Sequence, residues 1–378
     1  MAMLFDRTGV SGATLFSPVT LASPGNDLIY GDSFDNIIRP GTGNDTVYGG
    51  DGNDYIDDFP GGGNDWFFGE NGNDILYGYT GNDFLSGGSG NDRLYGENDS
   101  DTLSGGGGVD SVYGGNGNDY VYDDDFVAFD VNDGGAGNDW IDYSLVTFGL
   151  GLVTINLNTG VTSVAGGGNT EQVTGFENTR GSQGGETIFG TSGTNILGGQ
   201  GGNDTVDGWL GNDSVYGDAG NDLLYGGQGN DLVNGGTGND TLVGGDGVDR
   251  LNGNTGRDVL QAGAGNDTFV FATTSDSPLG AAVCDVLQAG GGAPAFQGAG
   301  AAAGDRIDLS AIDANVTAGG NQAFVFGGTG KGHVWCTNTG TTTTVYANTD
   351  NDAAAEFQLS ILDGGILASA YKAMDFIL

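Results

Sequence analysis

The sequence predicts an all-β chain built from two stacks of short parallel coils, and three observations support this prediction. The first is a nine-residue spacing of aspartates, which runs from Asp65 to Asp119 and again from Asp204 to Asp267. The second is a glycine-rich turn before each aspartate, most often ending in Gly-Asn-Asp. The third is a large apolar residue two places after each aspartate. Together they form the nonapeptide pattern G-G-x-G-x-D-x-U-x of stacked solenoids, where U is the apolar residue.

Each nine-residue unit divides into a turn and a short strand. Glycines in the turn accept positive φ without a steric penalty, so the backbone can curl with its carbonyls directed inward. The x-U-x part is a three-residue strand whose middle side chain faces one side. Two units make one coil, and stacked coils bury two facing rows of U residues. With the variant units at Asn36, Glu186 and Asn195 included, every U position is apolar: Ile29, Ile38, Val47, Ile56, Phe67, Leu76, Leu85, Leu94, Leu103, Val112, Val121, Ile141, Ile188, Leu197, Val206, Val215, Leu224, Val233, Leu242, Leu251, Leu260 and Phe269.

The turns offer oxygen ligands for a metal ion, without histidine or cysteine. Glycine carbonyls and aspartate carboxylates suit a hard cation of the size of calcium. The chain has 50 acidic and 9 basic residues and a net charge of −41, so aligned carboxylates would repel one another without a cation. About 15–20 calcium ions would cancel most of that charge, and we expect folding itself to require calcium. The predicted metal ligands are Asp27, Asp45, Asp54, Asp65, Asp74, Asp83, Asp92, Asp101, Asp110, Asp119, Asp139, Asp204, Asp213, Asp222, Asp231, Asp240, Asp249, Asp258 and Asp267.

These repeats resemble those of the RTX, or haemolysin-type calcium-binding, family. The resemblance implies that each stack is a right-handed parallel β-roll. It also implies that each ion lies between stacked turns and takes an aspartate from each of two units one coil apart, together with glycine carbonyls. Asp74 would then share an ion with Asp92, and Asp222 with Asp240. The strict apolar row excludes the alternative of a glycine-rich, low-complexity linker.

The chain divides into five predicted segments. Residues 1–24 lack the repeat and suggest a strand or a cap over the first coil, because an open roll end exposes unpaired backbone groups. The first roll covers residues 25–143, with a two-residue slip between Asp54 and Asp65. Residues 144–181 predict a β-hairpin insert lying beside the rolls, with strands near 153–157 and 161–164. The second roll covers residues 182–271.

Residues 272–378 predict a C-terminal, β-sandwich-like domain. Gly304 to Asp313 and the ending Asp375 to Leu378 resemble the domain that follows the roll in serralysin-type secreted metalloproteases. That resemblance implies an uncleaved type I secretion signal at the C-terminus, an ABC exporter as partner, and an extracellular or cell-surface location. A buried terminal strand is compatible with the signal. Cys284 and Cys336 could form one disulfide or remain two reduced, buried thiols.

Other compartments and partners are less compatible with the sequence. The first residues have no long apolar stretch of the kind found in a cleaved signal peptide, and no run is long and apolar enough to span a membrane. A cytoplasmic location conflicts with the scarcity of cytosolic calcium. The strong negative charge disfavours nucleic acids and anionic membranes as partners.

The sequence predicts no enzyme activity. A serralysin-type zinc site needs His-Glu-x-x-His and a further histidine, whereas the chain has only His333, which a surface or hydrogen-bonded position explains. An epimerase of the kind that travels with such repeats would need a catalytic domain upstream, where we expect only residues 1–24. Self-processing at Asp-Pro is excluded because that dipeptide is absent.

Three non-enzymatic functions remain: a structural protein that assembles into a homopolymer such as a filament or surface layer, a calcium-binding and secretion module of a larger exoprotein, and an adhesin or ice-binding protein. The residues that precede Gly-Asn-Asp are too irregular for ice matching. Outward aromatic side chains favour assembly, because exposed aromatic stripes usually meet a partner. One predicted face carries Trp66, Phe68, Phe84, Tyr120 and Tyr122, and the other carries Tyr77, Tyr95 and Tyr113.

Overall fold

A computed structural model of the chain divides into two compact units, Met1–Ser182 and Gln183–Leu378, and each is described by itself. For residues 2–6, 11–15 and 19–21 only the backbone is described. The structure describes residues 2–6, 11–15, 19–21, 24–124, 129–146, 153–164, 170–280, 282–288, 304–312, 324–329, 331–350, 355–362 and 368–378.

The first unit is made of short strands joined by turns. In chain order they are β1 (Ala2–Asp6), β2 (Ser11–Leu15), β3 (Val19–Leu21), β4 (Asp27–Tyr30), β5 (Ile37–Arg39), β6 (Thr46–Asp51), β7 (Tyr55–Asp57), β8 (Trp66–Asn71), β9 (Ile75–Thr80), β10 (Phe84–Ser89), β11 (Arg93–Asn98), β12 (Thr102–Gly107), β13 (Ser111–Asn116), β14 (Tyr120–Tyr122), β15 (Val131–Ala136), β16 (Trp140–Asp142), β17 (Val153–Asn156), β18 (Val161–Val164), β19 (Thr170–Thr174) and β20 (Asn178–Arg180).

The second unit has the same kind of strands and two short 3₁₀ helices. They are β21 (Glu186–Phe189), β22 (Ile196–Gly198), β23 (Thr205–Asp207), β24 (Ser214–Ala219), β25 (Leu223–Gln228), β26 (Leu232–Thr237), β27 (Thr241–Asp246), β28 (Arg250–Thr255), β29 (Val259–Ala264), β30 (Thr268–Val270), β31 (Val286–Gln288), β32 (Arg306–Asp308), β33 (Val325–Phe326), β34 (His333–Thr339), β35 (Thr342–Asn348), β36 (Phe357–Leu362), η1 (Ala368–Ala370), η2 (Ala373–Asp375) and β37 (Phe376–Ile377).

Alternate strands of the first unit stack into two parallel ladders. One contains β4, β6, β8, β10, β12, β14 and β16, and the other contains β5, β7, β9, β11, β13 and β15. In the regular part, each residue pairs with the residue 18 positions further on, for example Leu85 with Leu103. Two nine-residue units therefore make one coil, and the predicted parallel β-roll is confirmed.

The core of each roll is the predicted apolar row. All residues at the U positions are buried, and none is more than 1% exposed. Burying a side chain of this size contributes roughly 1.5–3 kcal/mol. Because every unit supplies one such side chain, the interior is a continuous strip of branched and aromatic residues along the roll.

The N-terminal segment caps its own roll. β1 pairs antiparallel with both β2 and β4, and β3 pairs parallel with β5, so Val19 lies opposite Ile37. β1 therefore covers the edge of β4 in the first coil.

The predicted hairpin is present, but part of the segment around it belongs to the roll. β17 and β18 form an antiparallel hairpin, and β18 pairs antiparallel with β19. However, β19 stacks parallel on β15 and β20 stacks parallel on β16. The expectation that this segment lies only beside the roll is therefore wrong, because residues 170–174 and 178–180 add a further coil.

The second unit continues its ladders beyond the regular repeats. β31 stacks parallel on β29, β32 on β30, β36 on β31 and β37 on β32. β34, β35 and β36 form an antiparallel meander beside them. The C-terminal strand is thus part of a ladder, and Phe376 is buried. Cys284 and Cys336 form no disulfide; Cys284 is buried, whereas Cys336 is partly exposed, so the expectation of two buried thiols holds only for the first.

The outer surface of the first unit is rich in stacked rings. Tyr30, Tyr48 and Phe68 stack in sequence with ring centroids 5.1 and 4.9 Å apart, and Trp66 lies 5.3 Å from Phe84. We call these five residues the aromatic face. Trp66 is 55% exposed. On the other ladder, a second stack has centroid separations of 4.5 and 5.1 Å and consists of Tyr77, Tyr95 and Tyr113.

The segment 144–181 covers one end of the predicted outer aromatic row. The guanidinium of Arg180 lies 5.8 Å from the ring centroid of Trp140 and forms a 3.2 Å ion pair with Asp142. The hydroxyl of Tyr120 also hydrogen-bonds to Asp142. Part of the outer row is therefore used within the chain, while the aromatic face remains accessible in the described structure.

Candidate metal centre

The repeated aspartates form a continuous hydrogen-bonded ladder inside the turns. In each coil, one carboxylate oxygen, Oδ1, accepts a hydrogen bond from the backbone N–H of the equivalent residue one coil earlier. The N–H of Asp74 donates to Asp92 at 2.7 Å, and that of Asp222 donates to Asp240 at 2.9 Å. The two pairs expected to share an ion are thus adjacent.

Every predicted ligand except Asp27 accepts such a bond, and Asp27 instead donates its N–H to Asp45 at 2.7 Å. We call the accepting residues the aspartate ladder. They are Asp45, Asp54, Asp65, Asp74, Asp83, Asp92, Asp101, Asp110, Asp119, Asp139, Asp204, Asp213, Asp222, Asp231, Asp240, Asp249, Asp258 and Asp267.

The second oxygen of most of these carboxylates has no hydrogen-bond partner in the described part of the protein. Burying a charged oxygen without a hydrogen bond or a counter-charge is costly. Buried Oδ2 atoms without a hydrogen-bond partner occur at Asp45, Asp54, Asp65, Asp74, Asp83, Asp92, Asp101, Asp119, Asp139, Asp204, Asp213, Asp222, Asp231, Asp240, Asp249, Asp258 and Asp267. A repeated unpartnered oxygen, directed into the same place in each coil, indicates that the missing partner is a cation.

The pKa values of the ladder aspartates show the same energetic cost of burying a charged carboxylate. Burial raises the pKa of Asp101 to about 8; the hydrogen bond from the N–H of Asp83 lowers it, and the nearby carboxylates raise it. Burial likewise raises the pKa of Asp204 to about 8 and that of Asp240 to about 7. The protein alone therefore disfavours the ionised form, which a bound cation would favour.

Glycine keeps the space beside these oxygens free of side chains. A Cβ on Gly87 would stand 2.4 Å from Oδ2 of Asp92 and 2.6 Å from the carbonyl oxygen of Gly105. A Cβ on Gly226 would meet Oδ2 of Asp231 and the carbonyl of Gly244 in the same way, at 2.7 and 2.6 Å. At these two glycines, carboxylate and carbonyl oxygens thus converge from adjacent coils.

Positive φ is the second reason for glycine in the turn. Gly72 has φ of +139°, and a Cβ there would lie 1.4 Å from the carbonyl oxygen of Gly52. The turns of neighbouring coils therefore stack at backbone contact, which only glycine allows.

The donor set fits calcium. In the part of the chain that the structure describes, no group of three or more His, Cys, Asp or Glu side chains is arranged to hold a metal. The ladder instead combines individual carboxylates with backbone carbonyls, which is an all-oxygen environment. Hard cations with flexible coordination, calcium above all, bind such sets.

Several residues outside the predicted set of ligands also join the ladder. The N–H groups of Asp110, Asp139, Asp258 and Asp267 donate to Asp130, Glu177, Asp285 and Asp305 respectively. Asp285 and Asp305 begin Asp-Val-Leu-Gln and Asp-Arg-Ile-Asp, which keep the aspartate and the apolar residue two places later. That four-residue signal, searched without a fixed spacing, would have found them.

Two further features of the described residues concern His333 and the question of a membrane span. Nδ1 of His333 hydrogen-bonds to the carbonyl of Gly327, as expected for a hydrogen-bonded histidine. No helix in the described ranges is long and apolar enough to cross a membrane.

Comparison with known proteins identifies the repeats. A family model described as the RTX calcium-binding nonapeptide repeat matches about half of the chain, at residues 21–56, 59–94, 86–121, 180–215, 210–242 and 243–276. No curated protein sequence matches the chain.

Two similar solved structures are subunits of the mannuronan C5-epimerase of Azotobacter vinelandii. The AlgE6R2 subunit shares 23% identity at a TM-score of 0.24, covering 51% of this chain and 92% of the subunit. The AlgE6R3 subunit shares 26% identity at a TM-score of 0.22, covering 52% and 79%.

Proposed function

Because the chain belongs to the RTX calcium-binding nonapeptide repeat family and binds calcium through its repeats, we propose that the aspartate ladder holds these ions and that calcium is required for folding. The observation that carries the proposal is the row of buried Oδ2 atoms without a protein partner. A net charge of −41 adds a second reason, since the chain has few bases to compensate its acids.

The test is a folding titration. Circular dichroism in chelator is expected to report a largely unfolded chain, and calcium at micromolar to millimolar concentration is expected to restore the β-structure. Magnesium is the matched divalent control, because it gives up its bound water reluctantly and prefers octahedral geometry. A chain that is fully folded in chelator would contradict the proposal.

The protein acts outside the cell in this proposal. Members of the family are typically secreted, and extracellular calcium is abundant enough to fill weak sites. The C-terminal residues Asp375 to Leu378 would serve as a type I secretion signal for an ABC exporter, within a domain similar to that of serralysin-type proteins. Asp375 and Phe376 are buried here, and β37 pairs with β32, so the signal would be read before folding.

Export from a host with a type I exporter tests the signal. Deletion of residues 375–378 is expected to abolish secretion, while deletion of residues 1–24 is expected to leave it intact. Circular dichroism of both proteins with calcium checks that they can still fold. Normal export of the C-terminal deletion would refute the type I route.

We further propose a structural, non-catalytic function in which copies of the chain assemble. The supporting observation is the aromatic face, whose central residue Trp66 is 55% exposed. Contiguous exposed apolar surfaces of this kind are typical of interaction sites. The second copy would bind laterally, and calcium would be needed because it folds the ladder that carries these rings.

The N-terminal strands offer a second contact, which the polymer needs together with the aromatic face. β1 pairs with β4 of its own chain. Exchange of β1 between copies would preserve that pairing while linking the chains, and repetition without closure would give a filament. Light scattering of the wild type with calcium is expected to report regular polymers, and a variant lacking residues 1–24 is expected to be a folded, calcium-loaded monomer.

A wild type that stays monomeric at high concentration in saturating calcium would overturn assembly. It would favour the second function, a calcium-binding and secretion module of a larger exoprotein, or the third, an adhesin that uses the aromatic face for a different surface. Calcium-dependent folding would stand in either case.

A further inference from the structure

The turn between Asp54 and Asp65 carries a buried acid that lies outside the repeat. Asp58 stands where regular units have their first glycine, such as Gly49 or Gly78, and it falls between the stretches 21–56 and 59–94 that match the repeat family. The eleven-residue spacing from Asp54 to Asp65 leaves room for this larger residue.

Asp58 is fully buried; the backbone N–H of Gly41 interacts with its carboxylate, but neither carboxylate oxygen accepts a hydrogen bond of normal geometry. The ladder aspartates are satisfied at Oδ1, so only Asp58 has both oxygens in this state among the aspartates that the structure describes. The carboxylates of Asp65, Asp45 and Asp83 repel the negative charge of Asp58, because they carry the same charge.

Oxygen atoms converge next to Asp58 as they do in the ladder. A Cβ on Gly61 would stand 1.9 Å from the carbonyl oxygen of Gly41, 2.2 Å from Oδ1 of Asp58 and 2.4 Å from its carbonyl oxygen. The glycine leaves an oxygen-lined space here, with no nitrogen or sulfur ligand among the atoms nearest to that point.

A second turn of the same length provides an internal comparison. Asp119 and Asp130 are also eleven residues apart, and Asp123 occupies the place of Asp58. The amide of Asn132 donates to Asp123 at 2.9 Å. The residue that corresponds to Asn132 in the first turn is Phe67, which has no donor. The chain thus supplies a side-chain donor for the acid in the second turn, whereas in the first turn the described residues offer the backbone N–H of Gly41 and no side-chain donor.

We propose that Asp58 and Asp65, with the carbonyl of Gly41, form an additional calcium-class cation site that has one more carboxylate than a regular turn. The site shares Asp65 with the aspartate ladder, so it rests on the proposed function. An added carboxylate strengthens the attraction for a divalent cation, because ligand charge is one of the factors that set affinity for calcium. This site is therefore expected to fill first and to release its ion last.

The test compares full-length variants that each remove one charge. Asp58→Asn keeps the shape of the side chain but removes the carboxylate, and Asp51→Asn removes an exposed carboxylate nearby as a control. Asp58→Gly restores the residue of a regular turn and keeps the test valid if Asn impairs folding. Bound calcium per chain is measured by atomic emission after equilibrium dialysis, and affinities come from calorimetry.

Terbium then locates the strongest site. At one equivalent of terbium, emission sensitised by tryptophan is expected in the wild type, because Trp66 directly follows Asp65. Asp58→Asn and Trp66→Phe are expected to lose most of that emission, whereas Asp51→Asn is expected to keep it.

The expected result is that Asp58→Asn and Asp58→Gly bind one ion fewer, or weaken the tightest site by about tenfold or more, while Asp51→Asn matches the wild type. If both Asp58 variants bind the wild-type number of ions with the same tightest affinity, Asp58 is a protonated structural residue and the inference falls while the ladder proposal stands. If the wild type itself binds no calcium, both fall.

Discussion

The two rolls of this protein have the same interior and different exteriors. Their U residues are equally buried, and their ladder aspartates make the same hydrogen bonds over nearly the same distances. On the outside, the first roll carries stacked rings such as Tyr48 and Phe68, whereas in the second roll the one ring of β24, Tyr216, faces Asn234 of the next strand. The proposed calcium-dependent folding would constrain the interior alone and leave the exterior of one roll free to acquire a separate function.

The largest effect is expected from the shared interior. Leu85→Ala in the first roll and Leu242→Ala in the second should each lower the free energy of unfolding by about 2–5 kcal/mol, because each leaves a cavity in a fully buried row. Denaturant unfolding in saturating calcium measures this. Ser86→Ala, on the outward side of the same strand as Leu85, is the control. If the free energy of unfolding fell by very different amounts in the two rolls, their interiors would not be equivalent.

A smaller loss of stability, again equal in the two rolls, is expected when a glycine beside the aspartate ladder is replaced. Gly87→Ala and Gly226→Ala place a methyl group within 2.7 Å of a ladder oxygen and a carbonyl oxygen. Overpacking of this kind costs about 1–3 kcal/mol, and both variants should also bind calcium more weakly. Calorimetric titration reads the affinity. Gly107→Ala is the matched control, since nothing lies within 4 Å of the added atom, and a comparable loss there would count against the geometric explanation.

The smallest effect on stability, and the only unequal one, is expected from the surface. Trp66→Ser with Phe84→Ser should change the free energy of unfolding by about 1 kcal/mol or less, yet prevent assembly with calcium. Ile196→Ser with Leu232→Ser, on outward positions of the second roll, should leave assembly unchanged. Light scattering decides between these outcomes. If both double variants lost assembly, or if neither did, the aromatic face would not be the contact between copies.

The regular coils could be predicted from sequence because two signals coincide in them. The apolar residue and the aspartate recur in one phase, so the position of Leu94 or Asp222 inside the roll follows from counting. The coil formed by β19 and β20 escaped prediction because it lacks the aspartates and keeps only one of the two apolar residues, Val173. Glutamates Glu171 and Glu177 stand at the aspartate positions, and Thr179 stands at the other apolar position.

Other parts of the ladder escaped for a different reason. Asp285 and Asp305 keep the local pattern, but they accept bonds from residues 27 and 38 positions earlier. Asp305, 38 positions after Asp267, is out of the nine-residue phase, whereas Asp285, 27 positions after Asp258, is in phase but lies beyond residue 271, where the second roll was predicted to end. Asp58 has no sequence signal at all, since only the folded turn reveals that both of its oxygens are buried without a hydrogen bond of normal geometry.

The coil-by-coil hydrogen bonding has a mechanical consequence. Within a roll, each regular coil of 18 residues is held by its two neighbours, through backbone pairing and two aspartate bonds on each side. A force applied to the end of such a stack would detach one coil at a time, releasing about 60 Å of chain per step. Single-molecule pulling in calcium is expected to give a regular staircase of extensions rather than one collapse. In a current or against a surface, such a roll would dissipate load gradually and could rewind from the coils that remain.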